Sequence, residues 1–397
     1  MKLLVSCIPY DSGKSGISVY VREVVRALLA QGHELTLLCE PGVDEADIRQ
    51  PTADSLHSDV GCRMSDVVRV VHAPRWTCRA VFSMLWHLFF LPFWICRHRR
   101  DFDGFVICAA NRRVCAWYPL PTAATVHDLA NFHIPGKYSR LRMFYLAHVL
   151  PYFAKKAHRL VAVSGATKAD MVRFWKCRED AVTVLYNGLV PGAWCLVLGA
   201  ELKRQDLSES NAPSTKHQAP STILYISRIE HPGKNHVRLI EAYGKLPRAL
   251  AEAHPLVIAG ADWKDADVVH AAAAASPHAE FIRFTGFVED VETVWADAGF
   301  YVFPSLFEGF GLSLIEAMAR GIPCASSNNG SLGEIAGDVA ITFDPGNVDD
   351  IAAALERLLA EPQQERADRV ARGLEHVKKF SWADHAAGLV KLLEGAA

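Results

Sequence analysis

Apolar and polar positions along the chain follow a regular beat, in which short runs dense in Val, Ile, Leu and Ala are separated by longer stretches with helical spacing. Lys2–Ile8 is the first such run. A helix over Val19–Gln31 follows, then Glu34–Cys39, and later Gly104–Cys108, Ala123–Val126 and Leu160–Val163. Runs that are apolar throughout, rather than at every second position, predict strands buried on both faces, which means a parallel sheet covered by helices on either side. The beat stops near Gly199, and the stretch ELKRQDLSESNAPSTKHQAPS up to about Ser221 is polar and rich in Ser, with almost no apolar residue. It reads as a linker or long exposed loop. A second series begins with Thr222–Ile226 and runs through Leu256–Ala259, Phe281–Phe284, Phe300–Phe303, Ile322–Ala325 and Ala340–Phe343 to a helix over Val348–Ala360. The pattern therefore predicts an α/β chain of two doubly wound domains, residues 1–200 and 221–380, with a helix over 381–397 returning to the first. Ligands in such folds sit outside the carboxyl ends of the strands, so a cleft between the two domains is where chemistry is expected.

Composition narrows the partners. Length fits two cores, since the chain has 397 residues, half of them apolar. Lys and Arg total 42 against 44 Asp and Glu, which leaves no global positive excess for a nucleic-acid backbone. Ten cysteines are scattered without a C-x-x-C pair, matching neither a zinc site nor a disulfide framework. The opening MKLLVSCIPY reads as a first buried strand rather than a signal peptide, and a cytoplasmic location is expected.

Candidate chemistry concentrates in two stretches. In Pro304–Pro323, PSLFEGFGLSLIEAMARGIP, a strand ends, a loop with Gly309 and Gly311 follows, and a helix starts near Leu312. Glycines let a ligand approach the backbone, and a helix start offers N–H groups and partial positive charge to a diphosphate. Glu308 and Glu316 flank this start, one placed for a sugar and the other for ribose hydroxyls. The plain alternative is a strand-loop-helix junction with two solvated glutamates. In Tyr225–Tyr243, YISRIEHPGKNHVRLIEAY, Arg228 and Lys234 occupy another loop after a strand, where two cations can neutralise a departing diphosphate. His127 and Asp128 follow the apolar run ATV. Gly13-Lys14-Ser15 imitates the end of a phosphate-binding loop, but that pattern needs Gly where Ile8 stands. The D-x-D strings Asp101-Phe102-Asp103 and Asp265-Ala266-Asp267 lie in charged segments away from these clusters, so no metal site is expected.

Taken in order, SGISVYVREVVRAL, VHDL, VAVSGATKADM, NGL, SRIEHPGKN, TGFV and FEGFGLSLIEAMARGIP resemble the retaining glycosyltransferases of family four, of GT-B architecture and bacterial surface-polysaccharide type. The resemblance spans nearly the whole chain, and the last motif is the most specific. It implies that Arg228 and Lys234 bind donor phosphates, that Glu316 binds ribose and that Glu308 faces the donor sugar. His127 then contacts the sugar near the reacting carbon, and Asp128 orients the acceptor unless it merely caps a turn. Gly16, the Gly286-Phe287-Val288 backbone, and Gly309, Phe310, Gly311 and Leu312 complete the donor contacts. No cofactor or metal is implied, because the cations and the helix start carry the charge role of a divalent ion.

The acceptor is expected to be a lipid-linked saccharide. VFSMLWHLFFLPFWICRHRR, Val81–Arg100, joins a dense aromatic run to a basic end, and Pro92 interrupts it. A spanning helix needs ~20 apolar residues, so the open readings are a core helix or a peripheral contact on the inner face of the membrane. In the latter, Trp86, Phe89, Phe90 and Trp94 enter the lipid boundary, with Arg97, Arg99 and Arg100 on anionic head groups. The favoured reaction is transfer of a hexose, mannose from GDP-mannose, to that acceptor. Transfer of glucose from UDP-glucose, epimerisation of a sugar nucleotide and silent binding of a nucleotide-sugar stay open beside it.

Overall fold

A computed structural model describes residues 1–10, 15–43, 48, 68–134, 139–189 and 221–396. The stretch between Gly199 and Ser221, and Gly13 and Lys14, lie outside the described residues. The chain divides into two compact units, Met1–Pro191 with Phe380–Ala397, and Gly192–Lys379.

The first unit is built on seven parallel strands: β1 Lys2–Ser6, β2 Glu34–Cys39, β3 Val68–His72, β4 Gly104–Ile107, β5 Thr122–Val126, β6 Arg159–Ala162 and β7 Val182–Val184. Their order is β3-β2-β1-β4-β5-β6-β7. Leu3, Leu4 and Val5 of β1 are all fully buried, as a strand covered on both faces must be. Helix Gly16–Ala30 crosses from β1 to β2, its N-terminus closed by Ser15 Oγ accepting the Ser18 N–H. The C-terminal helix Trp382–Glu394 packs beside it and against β4 and β5. Where the chain leaves β7 the approach is very close, and a Cβ on Gly188 would sit 2.2 Å from the Trp382 nitrogen.

The second unit carries six parallel strands: β8 Thr222–Ile226, β9 Leu256–Ala259, β10 Ile282–Gly286, β11 Ala298–Phe303, β12 Cys324–Ser327 and β13 Ile341–Phe343. Their order is β10-β9-β8-β11-β12-β13. Winding reverses between β8 and β11, as it does between β1 and β4 in the first unit. At such a switch the two outgoing loops turn opposite ways and leave a crevice at the carboxyl edge.

The segment 80–97 departs from the expectation. It is helical in three pieces, Ala80–Leu85, a π-helical turn Trp86–Phe90, and Leu91–Arg97. Trp86 is buried in the core beside Leu88, Leu91 and Ile95, and Trp94 packs half-buried on the same cluster, so neither reaches a lipid boundary. Phe89 and Phe90 are exposed. His87 is buried with Nε2 3.0 Å from Ser6 Oγ, and burial pulls its pKa down to about 3. For Trp86 and Trp94 the core-helix reading therefore holds. Among the described residues no helix is long and apolar enough to cross a membrane.

Candidate functional site

In the second unit the loops leaving β8 and β11 meet at the switch. Residues Ser227–Asn235 form the first and Pro304–Gly311 the second. They are held together by Asn235, which adopts φ +61° and donates from Nδ2 to the Pro304 carbonyl at 2.9 Å and the Pro345 carbonyl at 2.8 Å. Tyr225, fully buried in β8, donates its hydroxyl to the Lys234 carbonyl at 2.9 Å and lies 3.1 Å from Ser305 Oγ. The Leu306 N–H adds a bond to the Gly233 carbonyl at 3.0 Å.

This scaffold sets Lys234 Nζ 2.7 Å from Glu308 Oε1, with about a fifth of each side chain exposed. Burial alone would depress the ammonium, but the Glu308 charge and Tyr225 outweigh it and hold its pKa above the usual lysine value. Arg228 lies near enough to Lys234 to oppose that rise. Its guanidinium donates to Glu230 Oε2 at 3.2 Å and stacks over the exposed Trp263 ring at 5.2 Å. His236, whose Nε2 is 3.0 Å from Ser227 Oγ, is pulled down to about 4 by burial and stays neutral beside the two cations.

Beyond Glu308 the loop turns on Gly311, which has φ +105°, and a Cβ there would sit 2.6 Å from Leu332 Cδ2. Helix Leu312–Ala319 starts from it. The Ser331 hydroxyl is within bonding distance of the Glu308 and Phe310 carbonyls, at 2.9 and 3.0 Å, and fixes the loop from behind. Glu316 is half-buried one turn into the helix. Burial raises its carboxyl pKa, Arg320 opposes this and Glu292, itself paired with Arg320, reinforces it. Gly286, at φ +70°, ends β10 with its carbonyl accepting the Gly260 N–H at 3.0 Å. Phe287 beside it is exposed, and Val288 is half-buried.

In the first unit His127 follows β5 and is almost fully buried. Its Nε2 lies 2.7 Å from the Cys108 carbonyl, so that nitrogen carries the proton, and burial lowers the ring's pKa. The Tyr20 ring meets it edge-on at 4.6 Å. Tyr20 also reaches Thr125 Oγ1 at 2.9 Å and His385 Nε2 at 2.8 Å, a buried neutral network that spacing alone did not disclose. Asp128 takes the cap position, its Oδ1 accepting the Ala130 N–H at 3.1 Å. Gly16 is exposed, with open space where a Cβ would stand.

Glu230, Trp263, Tyr225, Asn235 and Arg320 were not singled out from sequence. Trp263 comes to Arg228 because an isolated bridge between Ile229 and Asp262 runs the two loops side by side, a pairing only the fold creates. Asp103 of the first D-x-D string accepts the Lys2 N–H at 2.7 Å, and Asp265 of the second lies 3.7 Å from Lys264.

Two family models match the chain, one described as Glycosyltransferase Family 4 over residues 14–191 and one as Glycosyl transferases group 1 over residues 208–375. Together they leave little of it uncovered, and the chain belongs to the family-four glycosyltransferases. An O-antigen chain mannosyltransferase B of Escherichia coli is 27% identical over 403 residues, covering 96% of each chain. Among solved structures, WaaG, a glycosyltransferase involved in lipopolysaccharide biosynthesis, superposes with a TM-score of 0.65 at 14% identity over 100% of both chains. Anabaena HepE, solved with UDP and glucose, gives 0.68 at 16% identity over 99% of both. These likenesses establish the fold as GT-B.

Proposed function

We propose that the chain is a retaining, metal-independent hexosyltransferase that moves mannose from GDP-mannose to a lipid-linked saccharide in surface-polysaccharide assembly, working at the inner face of the membrane. The observation that carries the reading is the Lys234–Glu308 contact of 2.7 Å at the β8/β11 switch, with Arg228 beside it and a helix start behind it. A nucleotide diphosphate entering there meets two permanent cations and the N–H groups of Leu312–Ala319. Glu316 takes the ribose hydroxyls, Glu308 faces the sugar, and Gly286–Val288 lie along the base. Lys234 and Arg228 stabilise the charge that grows on the diphosphate as its bond to the sugar breaks, and the diphosphate oxygen takes the proton of the acceptor hydroxyl. His127 and Asp128 attend the sugar and the acceptor. The mannose assignment is supported by the name of the Escherichia coli relative, which is aligned end to end with this chain.

Two measurements test the reading. Thermal stabilisation by GDP, UDP and ADP ranks the bases, and a ligand at 100 times its dissociation constant adds about 2.7 kcal/mol. Transfer from labelled GDP-mannose and UDP-glucose to a lipid-linked oligosaccharide then fixes the sugar. Unchanged turnover in Lys234→Ala, Arg228→Ala and Glu308→Ala together would remove the proposal.

A further inference from the structure

Arg228 and Lys234 are held at the β8/β11 switch by different means. Lys234 Nζ is fixed at 2.7 Å by the Glu308 carboxylate, a partner that cancels its charge. Among the described residues Arg228 has one contact of that kind, a single long N–H bond to Glu230 Oε2 at 3.2 Å, and about half of its side chain is exposed. An arginine so placed has many rotamers open to it, and one such bond fixes few of them. Its guanidinium nevertheless sits over the Trp263 ring, 5.2 Å from the centroid, inside the distance at which a cation is attracted to an aromatic face.

Trp263 is 61% exposed, so core packing gives little reason for a side chain of that size at this position. The backbone beneath it is firmly held. The Ile229 N–H donates to the Ala261 carbonyl at 2.9 Å, the Trp263 N–H to the Ile229 carbonyl at 2.9 Å and the His231 N–H to the Lys264 carbonyl at 3.1 Å, which makes a short ribbon around the Ile229–Asp262 bridge. Gly260 admits the approach, since a Cβ there would sit 2.0 Å from the Ser227 carbonyl oxygen. Beyond the ribbon Asp262 Oδ1 lies 2.9 Å from His270 Nε2, on the helix Ala266–Ala274. None of these bonds uses the indole, so the ring hangs from a support that does not depend on it.

We propose that Trp263 is a positioning residue of the donor site, whose indole holds the Arg228 guanidinium by its face and keeps the edge turned to the diphosphate. A carboxylate could fix an arginine as firmly, but it would present a neutral pair to the ligand. The ring takes no N–H and cancels no charge, and Glu230 takes one N–H, which leaves the rest of the planar fork for phosphate oxygens. Lys234 and Arg228 thus divide the work, one cation arriving with its charge already paired and the other with its charge whole. This role rests on the reading of Arg228 as a phosphate ligand and adds to it the residue that orients it.

Calorimetric titration of the full chain with GDP and with UDP tests it, in the wild type, Trp263→Leu, Trp263→Phe, Arg228→Ala and the double variant of Trp263→Leu with Arg228→Ala. Trp263→Leu should weaken the nucleotide that binds by about two- to fivefold, with the thermal midpoint of the free chain unchanged. Trp263→Phe keeps an aromatic face and should recover most of that loss. In the Arg228→Ala background Trp263→Leu should cost nothing further, because the group it holds is gone. An equal loss in both backgrounds would mean that the indole meets the nucleotide itself, and overturns the proposal. So does unchanged binding in Trp263→Leu while Arg228→Ala weakens it. Failure of the wild type to bind either nucleotide, or unchanged binding in Arg228→Ala, instead removes the donor-site reading, and the role of Trp263 with it.

Discussion

The two units share a winding order and differ in what they place where their strands end. After β8 and β11 stand permanent charges, Lys234 paired to Glu308 and Arg228 paired to Glu230, each partly open to water. After β5 stands a buried, uncharged network of Tyr20, Thr125, His127 and His385. A charged phosphate is matched only by the first, because burying charge without a partner costs several kcal/mol. The neutral group, with one directed hydrogen-bonding ring nitrogen, suits an uncharged sugar or hydroxyl. One fold used twice thus ends in two environments of different electrostatic character, one charged and one neutral.

Four experiments can break or sharpen that contrast. The largest effect is expected at Lys234: if it meets charge growing in the transition state, Lys234→Ala should lower kcat by about 10²–10³, or roughly 2.7–4 kcal/mol, in an initial-rate transfer assay. Acid should next weaken both units, because each buries a neutral histidine at its strand ends. His385 and His236 are each pulled down to about 4 by burial, against about 6.5 when unfolded. The unfolded chain therefore binds more protons between these values, so stability is complete above pH ~6.5 and falls as pH drops toward 4. Urea midpoints at pH 7.5, 5.5 and 4.5 should decline in that order, and a flat series would contradict the burial of these rings. Third, Gly311→Ala must accept φ +105° and a Cβ 2.6 Å from Leu332 Cδ2. It should cost about 1–3 kcal/mol in a denaturant titration while leaving the first unit's unfolding unchanged. Smallest is Tyr20→Phe, which leaves Thr125 and His385 without their shared hydroxyl at a cost of about 1–2 kcal/mol, read as a lower thermal midpoint.

Most of the frame was legible in the chain. Glu34–Cys39, Thr222–Ile226, Leu256–Ala259 and the helix Val348–Ala360 fall on the boundaries that the apolar runs predict. β3 and β7 were not anticipated. VRVVH is broken by Arg69 at its second position and ends on His72, and VTV is only three residues long, so neither reads as a sustained apolar run. For residues 81–100 a core helix and a membrane contact were both open, and composition alone could not choose between them; Trp86 is buried and Trp94 half-buried on the core. At the candidate site, Lys234 and Glu308 could be placed on loops from spacing, but their contact and the stacking of Arg228 on Trp263 arise between segments 74 and 35 residues apart. No local pattern encodes such pairs. For Asp128 the turn cap was an open alternative, and the cap is present.

Asn235 spans connections that are far apart in sequence. One amide group, fastened to the carbonyls of Pro304 and Pro345, ties the exits of β8, β11 and β13 into a single rigid piece before any ligand arrives. The ordering cost of those three exits is met once, when the chain folds, and need not be met again at each encounter. Exchanging Asn235 for a residue without that amide would leave the exits of β8 and β11 still joined through Tyr225 and the Leu306–Gly233 bond, and would release the exit of β13 from the Asn235 amide that joins it to them.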